Sequence, residues 1–396
     1  MNHPALIDEA FRSLEKYCRG EDFKGWDPFD GLNSRLFQAT PLRRSRLARL
    51  AWLQLFKRNP LNLRPLVGVP KQENAKGLAL FLHGYCLWQR WEPSPEKLRI
   101  IEDLVERILR LKSPGFSGNC WGYNFDWQAR AFFQPRATPT VVATSFVGQA
   151  LAEAYALLGR EPLRQELLAI APFLLKDLNR SVDAQGDFAF SYSPLDRTQV
   201  FNASLLGSRM LARLCELSPE PRPDWLEAAR RSASFCAKHQ RPNGAWPYGT
   251  LPFHQWVDNF HTAYNLECLH EYQRVSGDRA FEANIRRGLD YFLANFFTPK
   301  GESKYYDNSL YPIDIHAPAQ LVVCLSRLGL FERHRELVER VLGWTLQNMR
   351  TPKGFFIYQK KKIFSSKIPY MRWAQAWMFY GLSFYLWEVN RMKPLP

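Results

Sequence analysis

Residues 224–272 read DWLEAARRSASFCAKHQRPNGAWPYGTLPFHQWVDNFHTAYNLECLHEY. An amphipathic run ends in a glycine-containing loop, and a second, more apolar run follows it. In the first run apolar residues recur at helical spacing, while Glu227, Arg230, Arg231 and Lys238 take the other face. The second run begins near Asn259 and carries few charges, so it needs cover on more than one side. Together they describe one helical hairpin. The fold depends on whether that hairpin recurs.

It recurs along the chain. Glycines sit in five similar loops: SGNCWGY (Gly118), AQGDFAF (Gly186), PNGAWPY (Gly244), PKGESKYY (Gly301) and PKGFFIY (Gly354), spaced by 68, 58, 57 and 53 residues. Glycine suits the tight turn after a helix because it enters left-handed backbone space cheaply. Each loop follows an amphipathic segment, such as LRIIEDLVERILRL or RELVERVLGWTLQNM. Each also precedes a more apolar one, such as VVATSFVGQALAEAYALLG or MRWAQAWMFYGLSFYLWE. Upstream, RRSRLARLAWLQLFKR and GLALFLHGYCLWQRW supply a sixth pair.

Six hairpins with alternating polarity predict an all-α (α/α)6 toroid, a barrel within a barrel. The apolar helices form the inner ring, burying Phe146, Leu205, Leu206, Tyr264, Leu266, Val322 and Met378. The amphipathic helices form the outer ring. Repeats of this length also fit an open solenoid, but the count of six and the consistent alternation favour closure. Residues 1–42 read as an N-terminal extension and 43–396 as the toroid domain.

The 396 residues include 53 Lys+Arg against 38 Asp+Glu, a formal net charge of +15. That balance points to an anionic partner. The basic residues are spread along the chain with no nucleic-acid-binding motif, so nucleic acid is not expected. The N-terminus lacks an apolar signal core, and no run approaches eighteen apolar residues. Seven scattered cysteines show neither disulfide nor zinc spacing. A cytoplasmic protein with reduced thiols and no resident cofactor or metal is expected.

The stretch FCAKHQRPNGAW (Phe235–Trp246) carries a Q-x-x-x-G-x-W pattern in Gln240, Gly244 and Trp246, with an aromatic residue five before the glutamine. It resembles the repeat of terpenoid-cyclase and prenyltransferase-like α/α toroids. A wider set is similar to the VpsJ-like proteins of bacterial capsule and exopolysaccharide clusters: GWDPFDGLNS (Gly25–Ser34), NPLNLRPLVGVP (Asn59–Pro70), WGYNFDWQ (Trp121–Gln128) and YPIDIHAPAQ (Tyr311–Gln320). This likeness spans nearly the whole chain and implies a surface-polysaccharide context. It brings no catalytic residues with it.

Superimposing the inner-helix starts gives Thr144-Ser145, Asn202, Asp258-Asn259-Phe260-His261, Asp314-Ile315-His316 and Arg372-Trp373-Ala374-Gln375. In a toroid these starts converge on one mouth, where spare N–H groups and helix dipoles favour an anion or polar ligand. His261 and His316, each near an acid (Asp258, Asp314), are the candidate catalytic residues. A histidine titrating near neutrality suits proton transfer; the two carboxylates suit glycoside hydrolysis if their spacing fits. Asp258, Asn202 and Asp314 also read as plain helix caps.

Arg372 is a candidate clamp for a carboxylate or phosphate, with Gln375 beside it. The aromatic loop supplies Trp121, Tyr123, Asp126, Trp127, Gln128 and Arg130 as a sugar-stacking surface, and Tyr305, Tyr306, Asp307 and Asn308 repeat the idea.

The reading that results is a cytoplasmic enzyme of surface-polysaccharide production, acting on an acidic or phosphorylated carbohydrate by epimerisation, elimination or hydrolysis. Peripheral contact with membrane-bound assembly machinery belongs to the same reading. Three other readings remain open. A free-sugar epimerase or isomerase similar to the N-acylglucosamine 2-epimerase group would also be a toroid of about this length with paired histidines, but its motifs are not matched in this sequence. A glycan-binding or scaffold protein would keep the aromatics without needing the histidines. A terpenoid-cyclase or prenyltransferase-like enzyme would need a D-x-D-D acid cluster, which is absent.

Overall fold

The computed structural model describes residues 3–129 and 132–391. In chain order its helices are α1 (His3–Gly20), α2 (Arg35–Gln38), α3 (Arg46–Arg58), α4 (Ala75–Trp91), α5 (Pro95–Arg110), α6 (Val141–Leu158) and α7 (Glu161–Leu168). Then follow α8 (Phe201–Leu217), α9 (Pro223–Lys238), α10 (Asn259–Ser276), α11 (Glu282–Asn295), α12 (His316–Arg327), α13 (Arg335–Met349) and α14 (Trp377–Arg391). Helix α4 packs on α6, α6 on α8, α8 on α10, α10 on α12, α12 on α14, and α14 back on α4. The ring is closed, and the fold is an all-α (α/α)6 toroid. The seven residues expected on inner helices are all buried.

Local chemistry sets the helix ends. Asn74, Thr140 and Asp258 cap α4, α6 and α10 through side-chain oxygens that accept backbone N–H bonds. At the loop after α9, Gly244 has φ of +92°, and a Cβ there would lie 2.2 Å from the Arg287 carbonyl oxygen. Gly118 is needed for close approach instead: its Cβ would lie 2.3 Å from the Ala169 carbonyl. The glutamine-glycine-tryptophan motif is a structural clasp. The Gln240 amide donates to the carbonyls of Gly244 and Asn284, each at 3.0 Å, and the Trp246 indole donates to the Cys236 carbonyl at 3.0 Å.

Short antiparallel strands stiffen the loops: β1 (Trp127–Gln128) with β2 (Phe133–Gln134), β3 (Arg180–Val182) with β4 (Phe188–Phe190), and β5 (Ile313–Asp314) with β6 (Gln359–Lys360) and β7 (Ser365–Ser366). Among the described residues the cysteines are all free thiols, and six of the seven are buried. Helix α6 has the length and hydropathy of a membrane span, yet it packs between α4 and α8 with most of its length covered.

One pairing differs from the sequence reading. Helix α3 is not the outer partner of α4; it packs on the turn at 30–33 and on β1. Helix α1, within the segment read as an N-terminal extension, lies against α13 and α14. Its apolar stripe of Ile7, Ala10, Phe11, Leu14 and Cys18 is buried, and the Phe11 ring sits 4.8 Å from both Trp88 of α4 and Phe379 of α14. Each fully buried Leu or Phe on that stripe stabilises by about 1.5–3 kcal/mol, so α1 seals the seam between the first and last inner helices. Periodicity shows that a helix has an apolar face but not which surface covers it.

Candidate functional site

The inner-helix starts open on a cavity of about 460 Å³. Helix α3 forms part of its rim through Leu50, Leu53, Gln54 and Lys57. Fourteen of its 29 lining residues are Phe, Tyr or Trp, so most of the wall is flat and apolar. The polar groups are few, which makes their chemistry decisive.

His261, in the first turn of α10, lines the cavity and is partly exposed. Its Nδ1 lies 2.7 Å from Asp258 Oδ2, while Asp258 Oδ1 accepts the His261 backbone N–H at 2.9 Å. One carboxylate therefore caps the helix and orients the ring. With Nδ1 tied to Asp258, Nε2 is the nitrogen left for proton exchange. Asp258 itself is buried behind the ring and does not line the cavity.

His316 starts α12 and lines the same cavity. It is sandwiched between Phe260 (ring centroids 4.2 Å apart) and Trp377 (3.8 Å). Its Nε2 lies 2.8 Å from the Tyr264 hydroxyl, and its buried Nδ1 has no hydrogen-bond partner. Burial first, then the charges of Lys76, His261 and Arg372, hold His316 well below the usual histidine range, so it is neutral at pH 7. Burial also keeps the Tyr264 hydroxyl protonated. The Tyr264 ring neighbours both His261 and His316, with centroid separations of 5.7 and 5.9 Å.

Asp314 does not reach the cavity. It is buried on β5, where it accepts bonds from the His316 backbone N–H (3.0 Å), Gln359 Nε2 (2.7 Å) and Trp373 Nε1 (3.0 Å). Burial outweighs these donors and pushes its carboxyl up to about 6. Among the described residues no carboxylate lines the cavity. Paired-carboxylate hydrolysis across a bound glycoside has no direct support in this arrangement.

The remaining candidates divide clearly. Tyr123, Trp127, Gln128, Asn202, Tyr306 and Arg372 line the cavity. The buried Asn202 Oδ1 has no partner and is a free acceptor for a ligand hydroxyl. Gln128 is already engaged, accepting from Arg49 Nε at 2.9 Å and donating to the Ala129 and Phe132 carbonyls. Arg372 is held by Asp27 through two bonds of 2.6 and 2.8 Å, so its fork is occupied before any ligand arrives.

Trp121 is a correction. It is completely buried, with its indole N–H donating 2.8 Å to the Ile108 carbonyl, and belongs to the core. Gln375 is likewise structural, bonded through both amide atoms to the backbone of Phe356. Asp126 accepts the Arg136 backbone N–H and holds the β1–β2 hairpin rather than a ligand. Asn308 is exposed and away from the cavity. Arg130 lies outside the described residues. No cluster of three or more metal-ligating side chains occurs among the described residues.

Sequence reasoning missed Lys76, Tyr248, His254 and Trp256, all on the cavity wall, while Tyr305, singled out with Tyr306, does line it. Lys76 carried a usable signal, since it occupies the first turn of an inner helix, the position that singled out His261. The aromatic residues lie in loops of unequal length, and nothing local shows where they point.

No protein-family profile and no curated protein sequence matches the chain. Solved structures do resemble it. Cellobiose 2-epimerase from Bacillus thermoamylovorans B4167 superimposes with a TM-score of 0.61 at 10% identity, covering 81% of this chain and 88% of that one. A polysaccharide lyase gives 0.62 at 10% identity, covering 99% and 98%. An α-mannanase of Bacteroides thetaiotaomicron gives 0.59 at 10% identity, covering 81% and 88%. At such identities the likeness establishes the fold alone, and the chain shares the (α/α)6 toroid with proteins of three different chemistries.

Proposed function

We propose that the protein is a carbohydrate-modifying enzyme that moves a proton at a carbon next to a carbonyl or carboxylate of a sugar, by epimerisation or elimination. The observation that carries this reading is the wall of the cavity: three histidines, of which His316 is hydrogen-bonded to Tyr264 and His261 lies against its ring, and no carboxylate among the described lining residues. His261, oriented by Asp258, is the base; Tyr264, backed by the neutral His316, is the proton donor or second base. Proton transfer on both sides of one carbon needs two such groups, whereas hydrolysis needs two carboxyls at the substrate. The structural likeness to an epimerase and a polysaccharide lyase supports the same choice.

The charged groups on the described wall beside the histidines are Lys57, Lys76 and Arg372, all basic. With Arg372 already paired to Asp27, it is the Lys57 ammonium at the rim that supports an acidic or phosphorylated sugar. The likeness to VpsJ-like proteins supports a role in surface-polysaccharide production, in the cytoplasm and beside membrane-bound assembly machinery.

The experiment is solvent-deuterium exchange followed by NMR, with reducing sugars and uronate-containing oligosaccharides in D₂O. Deuterium entering a sugar C–H supports the reading. Bond cleavage with no deuterium in the product and no new double bond overturns it in favour of hydrolysis.

A second reading has a specific observation behind it. A wall so rich in aromatic faces also suits a carbocation, as in terpenoid cyclisation. No acid reaches the described wall to start that chemistry, which favours the sugar.

A further inference from the structure

Lys76 is the group on the cavity wall that the proton-transfer scheme leaves without a task. It lies in the first turn of α4, held there because Asn74 Oδ1 caps the helix by accepting the backbone N–H groups of Lys76 and Gly77 at 3.1 and 3.2 Å. Its side chain is 4% exposed and lines the cavity. The ammonium position has no carboxylate and no hydrogen-bond acceptor among the described residues. It faces three aromatic rings instead: Phe146 of α6 at 4.0 Å, Trp377 of α14 at 5.3 Å and Tyr264 of α10 at 5.7 Å, measured to the ring centroids. The titratable neighbours on other elements are Arg372, already paired with Asp27, and His316 and Tyr264, bonded to each other.

An amine in that setting is unusual. A buried structural lysine normally has a carboxylate partner, as Lys97 has in Glu92 at 3.1 Å. Lys76 has none, and its apolar surroundings and the nearby Arg372 favour the uncharged amine over the opposing pull of the more distant Asp27 carboxylate. A desolvated, neutral lysine amine beside another cation is the form that attacks carbonyl groups.

We propose that Lys76 forms an imine with the open-chain carbonyl of a reducing sugar bound in the cavity. The proposal rests on the carbohydrate reading above and narrows its substrate to an aldose or ketose. The amine nitrogen adds to the carbonyl carbon, and loss of one water leaves the C=N bond. The protonated imine withdraws electrons from the adjacent carbon, whose hydrogen then passes to His261 Nε2 to give an enamine. A proton returns to that carbon from the Tyr264–His316 side, inverting it. Water adds back to release the sugar and the free amine. No oxidant or reductant is consumed, and the product is the epimer at the carbon next to the carbonyl.

The test is reductive trapping. The full-length protein is incubated at about pH 6.5, where ordinary lysines are almost entirely protonated, with glycolaldehyde and sodium cyanoborohydride, and the adducts are mapped by peptide mass spectrometry. A single adduct on Lys76, formed ahead of exposed lysines such as Lys300 and Lys353, is expected. It should be lost in both Lys76→Met, which suits the aromatic surroundings, and Lys76→Arg, which keeps the charge but cannot form an imine. An unmodified Lys76 beside modified surface lysines, or an adduct confined to Lys57, overturns the proposal. The two readings separate cleanly. Deuterium exchange that persists in Lys76→Arg overturns the imine and leaves the proton-transfer enzyme. Trapping at Lys76 without exchange into any sugar overturns the enzyme reading and supports the reactive amine.

Discussion

Asp258 Oδ2 lies 2.7 Å from Nδ1 of His261, while its other oxygen caps the helix that carries the same histidine. A single buried carboxylate therefore sets the backbone entry into α10, the rotamer of the ring and its tautomer. Capping the helix and orienting the His261 ring are two uses of one side chain here, and substitution tests each.

His261→Ala should lower sugar conversion by about 10²–10⁴-fold with little change in the unfolding midpoint, because the ring is partly exposed. Asp258→Ala should lower conversion too and also destabilise the fold by about 1 kcal/mol through the lost cap. Paired activity and thermal-melting measurements check this. Full activity in His261→Ala would remove the residue from the mechanism.

His316 makes stability depend on pH. Its folded-state affinity for protons is depressed by burial, so the unfolded chain binds the proton first as pH falls below about 6.5. The stability contribution is present above that pH and is lost on acidification, at up to about 1.4 kcal/mol per pH unit. His83, also buried and shifted the same way, adds to the effect. His316→Phe should flatten the curve of melting temperature against pH below about 6.5 without abolishing the slope that His83 contributes. An unchanged slope in the variant would show that His316 is charged or exposed in the folded protein.

Arg372 and Asp27 form a buried bidentate pair that joins the N-terminal region to the turn before α14. Removing one partner leaves the other charge buried, at a cost of about 3–5 kcal/mol. Arg372→Met and Asp27→Leu should each destabilise by that order, and the double variant by less than the two singles together. Urea denaturation of the three variants measures the coupling, and simple additivity would show that the pair is not formed.

Trp121 and Trp127 lie six residues apart but should respond differently. Trp121→Ala empties a fully buried core position and should destabilise by about 3–5 kcal/mol. Trp127→Ala removes a ring that lines the cavity and touches Phe29, Phe132 and Tyr192. It should weaken saccharide binding by about tenfold, equivalent to 1.4 kcal/mol, with a smaller effect on folding. Calorimetric titration beside thermal melting distinguishes the two, and equal destabilisation without loss of binding would make Trp127 a core residue as well.

By itself the sequence determined the hairpin repeat, the glycine turns, the polarity of the two rings and the convergence of the inner-helix starts on one mouth. Each follows from periodicity or backbone restriction within some twenty to sixty neighbouring residues, which a linear reading can detect. Tertiary structure alone decided that α1 rather than α3 closes the outer ring, and that Trp121 and Gln375 are core while Tyr123 and Trp127 face the cavity. It also decided that Asp258 and Asp314 stand behind the histidines they serve. Lys76 shows the reason most plainly. Its place at a helix start can be read locally, but its lack of a partner depends on Phe146, Tyr264 and Trp377, which approach from three other helices. Whether an ionisable group is solvated, paired or left bare depends on everything packed around it, and those neighbours come from segments far apart in the chain.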